Sequence, residues 1–158
     1  MLLRMTIQPI EPKYSQAVSQ LLQSTILASP HYNTSAKSEE SAAFTTAKLE
    51  DMPSHHLHLA TENNILLGVL VSSTEEASLL WLNWIVVSPE AQRRGVAGAL
   101  IAAFHRDAAA RGLHKTWCDS RVGNTASARM LEKAGYNQVA TLTKHWYGLD
   151  YFIWERFL

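Results

Sequence analysis

The sequence predicts an α/β (α+β) fold: a mixed, mostly antiparallel sheet of six to seven strands flanked by about four helices, in one domain covering residues 1–158. Two patterns predict it. Runs of apolar, β-branched and aromatic residues of strand length alternate with segments whose apolar residues recur at helical spacing. Among the connections, only the strand–helix–strand stretch over residues 79–120 reads as a right-handed parallel crossover.

Residues 6–10 can form a short first strand. Residues 14–27 carry Ala17, Val18, Leu21, Leu22 and Ile26 at helical spacing. Residues 29–38 are polar and turn-rich and read as a loop, and a second helix is expected over 39–49, ending ahead of Pro53. Residues 56–61 and 65–72 read as a hairpin around Glu62-Asn63-Asn64, and Glu75-Glu76-Ala77 makes the next connection. The run over 79–87 is a buried strand, and Ser88-Pro89-Glu90 turns the chain out of it. From Gly95 onward Val96, Leu100, Ile101 and Phe104 give one buried helical face, which Arg111-Gly112 stops. Residues 114–120 are the next strand. Asn124 is placed to cap a helix that runs to Lys133 and ends at Gly135. Residues 136–143 and 151–157 are the final strands.

A chain of 158 residues buries about two-thirds of its unfolded surface as one domain. With 47% hydrophobic and 18% charged residues it has the composition of a soluble globular protein. Its formal net charge of zero gives no footprint for nucleic acid or a membrane surface. No apolar run approaches the ~20 residues of a membrane span. The opening Met-Leu-Leu-Arg-Met-Thr has too short an apolar run for a signal peptide. The single cysteine, Cys118, allows no internal disulfide, so a cytoplasmic location is expected.

The chemistry centres on Gln92-Arg93-Arg94-Gly95, where a strand hands over to a helix. The first turn of a helix leaves amide N–H groups without partners at the positive end of its dipole, so anions settle there. Gly95 lets a phosphate approach the backbone, Ala97 and Gly98 keep the next turn low, and Arg93 and Arg94 add positive charge. The two arginines alone equally suit a solvated basic turn. The phosphate loops G-x-x-x-x-G-K-[ST] and G-x-G-x-x-G are absent.

The stretch V-x-P-x-x-Q-R-R-G-V-A resembles the acetyl-CoA signature [QR]-x-x-G-x-[GA] of the GNAT superfamily of N-acyltransferases. Downstream, Asp119-Ser-Arg-Val-Gly-Asn124 and Met130-Leu-Glu-Lys-Ala-Gly-Tyr136 resemble that family's E-x-R-x-x-N and L-Y-E-K-x-G-F. The resemblance covers roughly residues 55–158. It implies an acetyl-CoA-dependent N-acetyltransferase acting on a primary amine, with the pantetheine arm lying between two strands that splay apart. Carried over, it puts Ile85, Val86 and Val87 on the pantetheine, Arg93, Arg94, Gly95, Val96, Ala97 and Gly98 on the pyrophosphate, and Asn124 on the cofactor arm. Asn124 also suits a plain helix cap.

Asp119 stands at the position of the family's Glu and is the first choice for the base, with a structural Asp as the other reading. The central strand offers Asn83 and no carboxylate. The tyrosine that often protonates the leaving thiolate in the family falls at Leu131, which holds no proton to give. Tyr147, in the late loop, is the substitute, or else a surface aromatic. The branch that acetylates protein N-termini and small amines such as polyamines are both open as acceptors. A non-catalytic coenzyme-A-binding module is the alternative, and homodimers are frequent in the family.

Other residues read more plainly. Cys118 is expected as a buried, inert thiol. In His55-His56-Leu-His58 only His56 and His58 share a strand face and a third ligand is missing, so no metal is expected. Of the tryptophans, Trp146 is, with Tyr147, a candidate substrate wall, whereas Trp81, Trp84, Trp117 and Trp154 read as core. Glu39, Glu40, Glu75 and Glu76 could attract a cationic amine or simply be solvated.

Overall fold

The computed structural model describes residues 4–75 and 79–158. In chain order the elements are β1 (Thr6–Pro9), α1 (Ser15–Ala28), α2 (Thr34–Ala42), α3 (Thr46–Asp51), β2 (Leu57–Glu62), β3 (Ile65–Glu75), β4 (Leu79–Val87), α4 (Val96–Ala110), β5 (Lys115–Arg121), α5 (Thr125–Lys133), β6 (Asn137–Leu142) and β7 (Tyr151–Phe157). The strands form one sheet in the order β1-β2-β3-β4-β5-β7-β6. β4 and β5 pair in parallel and the other neighbours pair antiparallel, the mixed sheet that the sequence predicts. The expected connection Glu75-Glu76-Ala77 runs into residues 76–78, outside the described residues.

One stretch departs from expectation. In place of a loop over 29–38 and a helix over 39–49, two short helices stand end to end. Asn33 Oδ1 accepts from the Ala36 N–H at 3.0 Å and starts α2, and Thr45 Oγ1 accepts from the Lys48 N–H at 3.4 Å and starts α3. The sequence of α2 is nearly all polar and Ala36 is its buried residue, so apolar periodicity carries no trace of it. The hairpin turn is as expected: Asn63 and Asn64 have φ of 51° and 63°, the left-handed pair that suits a two-residue turn.

Each face of the sheet has its own core. Leu70, Leu80, Leu82, Leu100, Ile101, Phe104 and Leu131 form the one under α4 and α5, while Val18, Leu22, Ile26, Leu49, Leu59 and Val69 form the one under α1 to α3. Gly68 lets α4 sit tightly on β3. A Cβ there would lie 2.8 Å from the Val86 carbonyl oxygen and 3.0 Å from Val96 Cγ1.

The feature that positions the site is a bulge in β4. Val71 stands opposite Trp84 but Ser72 opposite Leu82, which leaves Asn83 as the extra residue. Residues two apart normally share a face. Here Leu80 and Leu82 join the core under α4, whereas Trp84 and Val86 pack with the core under α1. The bulge therefore turns the strand over and bends it. At the same place β4 stops pairing with β5, the last partners being Leu82 and Cys118.

Candidate active site

Beyond Leu82 and Cys118 the two strands part, because each follows its other neighbour: β4 stays on β3 and β5 stays on β7. The fork opens a cavity of about 710 Å³ walled by Ile85, Val86 and Val87 on one side and by Cys118, Ser120 and Arg121 on the other. It runs into a groove of about 970 Å³ between α4 and α5, since Ile85, Val86, Val87 and Gln92 line both. At its other end it meets a cavity of about 380 Å³, with Tyr32, Asn83, Trp84 and Asp119 lining both. The result is a continuous passage through the fork of the sheet.

The groove begins at the first turn of α4. Gly95 caps that helix with φ of 81°, a left-handed conformation that L side chains rarely adopt. Its carbonyl accepts from the Ala99 N–H at 3.0 Å, so the amides before Ala99 precede the first α-helical bond. α2, α3 and α5 have side-chain caps, but among the described residues no side chain caps α4. A Cβ at Gly95 or Gly98 would meet no described atom within 4 Å, so the surface over this turn is open.

Of the residues expected on the pyrophosphate, Arg93, Gly95, Val96, Ala97 and Gly98 line this groove. Arg94 is not among them. Its guanidinium donates to both carboxylate oxygens of Glu62, at 3.0 and 2.9 Å, and its side chain turns toward β2. Arg93, with φ of 61°, lines the groove.

Asp119, the first residue of β5 past the fork, alternates with buried Cys118 and Ser120 and lies on the face of Trp81. Burial pushes its pKa up to about 7. A hydrogen bond with the Trp81 side chain works against that rise, and the charge of Glu40 adds to it. Such a carboxylate can hold or release a proton near neutrality, which an ordinary aspartate cannot.

Tyr147 lines the same cavity but its hydroxyl is engaged, donating to Glu40 Oε1 at 3.0 Å. Burial and that bond raise its pKa well above the usual phenol value. Trp84 Nε1 donates to the other oxygen of Glu40 at 3.2 Å. Asn33 Nδ2 donates to the Tyr147 carbonyl at 3.0 Å and ties the approach to α2 to the late loop. Sequence reasoning missed Tyr32 and Tyr151 and placed Trp81 and Trp84 in the core, yet all four line this cavity. No local motif marks them, because the cavity is assembled from four distant segments. Glu40, which looked like half of a solvated pair, is held in place by two donors.

Elsewhere the expectations meet a mixed outcome. Asn124 Oδ1 accepts from the Ser127 N–H at 3.2 Å, so it caps α5, and it also lines the fork. Leu131 is 1% exposed, packed in the core under α4 with an edge on the fork. Cys118 is buried, and burial raises its thiol pKa, as suits an inert thiol. His56 ends a 3₁₀ turn (Ser54–His56) ahead of the strand and contacts Thr74 Oγ1 at 3.0 Å, whereas His58 contacts Asp107 Oδ2 at 2.6 Å. The two imidazoles thus serve different neighbours.

A helix start facing a groove, joined to a strand fork, is the arrangement that the sequence resemblance implies, and comparison decides it. The model of the acetyltransferase (GNAT) family matches residues 21–136. The chain belongs to the GNAT acetyltransferase family. Over 86 residues it is 30% identical to the [ribosomal protein bS18]-alanine N-acetyltransferase of Haemophilus ducreyi, a match covering 54% of this chain and 57% of that protein. The match therefore takes in little more than half of either protein. Among solved structures, Ard1 from Thermoplasma volcanium superposes with a TM-score of 0.78 at 20% identity, covering 98% of this chain and 97% of that one. YncA from Salmonella typhimurium, solved with its cofactor acetyl-CoA, gives 0.74 at 18% identity over 98% and 94%. These two show the GNAT fold, and the family expected from the sequence is borne out.

Proposed function

We propose that this GNAT protein moves the acetyl group of acetyl-CoA to a primary amine, and that the forked β4–β5 pair is where it does so. The single observation that carries this reading is the passage through the fork, with uncapped amides at one end and a carboxylate of near-neutral pKa at the other. The diphosphate rests on the amides of Gly95, Val96, Ala97 and Gly98 beside Arg93, an anion site by dipole and charge together. Arg94 contributes its backbone to this turn. Ile85, Val86 and Val87, whose strand edge β5 leaves open, hold the pantetheine as an added strand would be held. Asn124 lines the same arm.

The proton sets the demand on the enzyme. A lysine-type amine with a pKa of ~10.4 costs about 4–5 kcal/mol to strip at neutral pH, an α-amine near ~8 only about 1 kcal/mol. Asp119 is the base that takes this proton, directly or through a water. A backbone N–H of β4 past the bulge stabilises the oxyanion. Tyr147 returns a proton to the departing thiolate, which requires it to leave Glu40; Tyr32, which lines both the fork and the inner cavity, is the alternative phenol.

Among the described residues no helix is long and apolar enough to cross a membrane, and the buried lone thiol Cys118 favours a cytoplasmic setting. A homodimer has the β6 edge of the sheet available, where Val139 is 49% exposed. The deciding experiment pairs calorimetry with acetyl-CoA and thiol release across a broad amine panel. Binding with release for at least one amine supports the transferase; binding without release for any amine supports a non-catalytic coenzyme-A module.

A further inference from the structure

The cavity beyond the fork has a composition that selects an acceptor. Trp81, Trp146 and Tyr151 stand in series along one wall, with ring centroids 6.2 and 5.0 Å apart and interplanar angles of 74° and 90°. Tyr32 and Trp84 form a second pair, centroids 5.5 Å apart. Among the described residues, the charged side chains lining this space are Glu40 and Asp119, both acidic. The nearby cation is engaged elsewhere: Arg121, on the fork, lies over the Tyr151 ring at 5.2 Å and gives its guanidinium to the carbonyls of His31, at 2.8 Å, and Asp150.

We infer that the acceptor is a small organic dication, a diamine whose reacting nitrogen meets Asp119 while its second ammonium is held by Glu40 and the aromatic walls. This deepens the transferase reading and rests on it. Three observations carry it. First, aromatic faces attract an ammonium, and the more so in a partly dry site. Second, Glu40 is fixed by Tyr147 and Trp84 through one oxygen each, so its charge is presented in one orientation without further ordering. Third, the space is short. At about 380 Å³ it lies near the lower bound of ligand sites, about 300 Å³. The bonds from Asn33 to Tyr147 and from Tyr147 to Glu40 strap its two sides together. An extended peptide laid between those segments would need the strap open to bind at all, whereas a short diamine needs Tyr147 to leave Glu40 only when the thiolate is protonated.

The test is thiol release from acetyl-CoA with 1,5-diaminopentane, with pentylamine as its singly charged match, and with a peptide beginning in alanine. The diamine should exceed pentylamine in kcat/KM by about tenfold or more, the scale of a desolvated cation–π and ion-pair contact. Glu40→Gln should collapse that ratio, and Trp146→Leu should do the same if both variants melt cooperatively. A direct readout is quenching of tryptophan fluorescence when 1,5-diaminopentane is titrated into the wild-type protein without acetyl-CoA. Equal rates for the two amines, or a peptide that outperforms both, overturns the dication and leaves acetyl transfer standing. Absence of thiol release with every amine overturns the transferase itself.

Discussion

Tyr147 donates to Glu40 across 3.0 Å, joining two segments 107 residues apart that both line the inner cavity. The bond assigns the tyrosine two uses that compete, since a hydroxyl committed to a carboxylate is a poor donor to a thiolate. If Tyr147 is the acid, Tyr147→Phe should lower kcat about 10²-fold, the lower bound for losing a general acid. If Tyr32 supplies the proton instead, Tyr32→Phe gives that loss and Tyr147→Phe chiefly raises KM for the amine. Steady-state kinetics on the two single variants separates the assignments.

Asp119 makes a prediction about pH. The acceptor arrives as an ammonium, and if Asp119 is the base, the reactive enzyme form has it ionised. Against a lysine-type amine, kcat/KM should therefore rise tenfold per pH unit up to about pH 7 and then level off. In Asp119→Asn the amine must lose its proton to water, so the profile should fall about 10²-fold at neutral pH and climb steadily to the amine's own pKa. A wild-type profile without a break near pH 7 removes Asp119 from the role.

The same carboxyl costs stability. Its pKa in the folded protein is about 7, above the unfolded value near ~3.9, so between those limits the folded state binds more protons. Stability contributed by this group is complete below the lower value and declines as pH rises through the window. Asp119→Asn should accordingly raise Tm at pH 8 and leave it nearly unchanged at pH 4, a trade of activity for stability. Thermal melts at the two pH values measure it.

The extent to which the sequence carried this structure follows from how local each signal is. The hairpin at Asn63-Asn64, the cap at Asn124 and the helix start at Gly95 are each written within a few residues, and each stands where expected. The break between α2 and α3 was not legible, because two polar caps rather than apolar spacing define it. The bulge at Asn83 is equally silent, since it depends on register against β3. The residues lining the groove at the start of α4, from Arg93 to Gly98 without Arg94, fall within one motif, so their nearness in space follows from their nearness in the chain. The inner cavity gathers Tyr32, Glu40 and Tyr151 from distant segments, and no spacing in the chain announces that.

Gly68 links core packing to the cofactor groove. A methyl group there meets the Val86 carbonyl oxygen at 2.8 Å and Val96 at 3.0 Å, and the backbone oxygen has little room to retreat within a paired strand. Gly68→Ala should cost about 1–3 kcal/mol, as overpacking does. Because Val96 begins α4, relief of that clash moves the first turn, and the Kd for coenzyme A should weaken as well. Denaturant titration alongside calorimetry tests the pair. Lost stability with unchanged affinity would show that the strain is absorbed on the β4 side.

The two adjacent arginines should behave differently although the sequence gives them the same chemistry. Arg93 faces the groove, so Arg93→Ala removes a charge-assisted contact, typically about 1.5–3 kcal/mol, and should weaken coenzyme A binding by at least about tenfold. Its loss should also flatten the salt dependence of the affinity, because one fewer cation meets the phosphates. Arg94→Ala breaks a half-exposed pair with Glu62, which is worth about 0–1 kcal/mol. That variant should lose a little stability and change the Kd less than about twofold. Calorimetry at low and high salt on both variants decides the matter. If Arg94→Ala binds as poorly as Arg93→Ala, the bridge to Glu62 gives way when the diphosphate arrives and both guanidinium groups serve it.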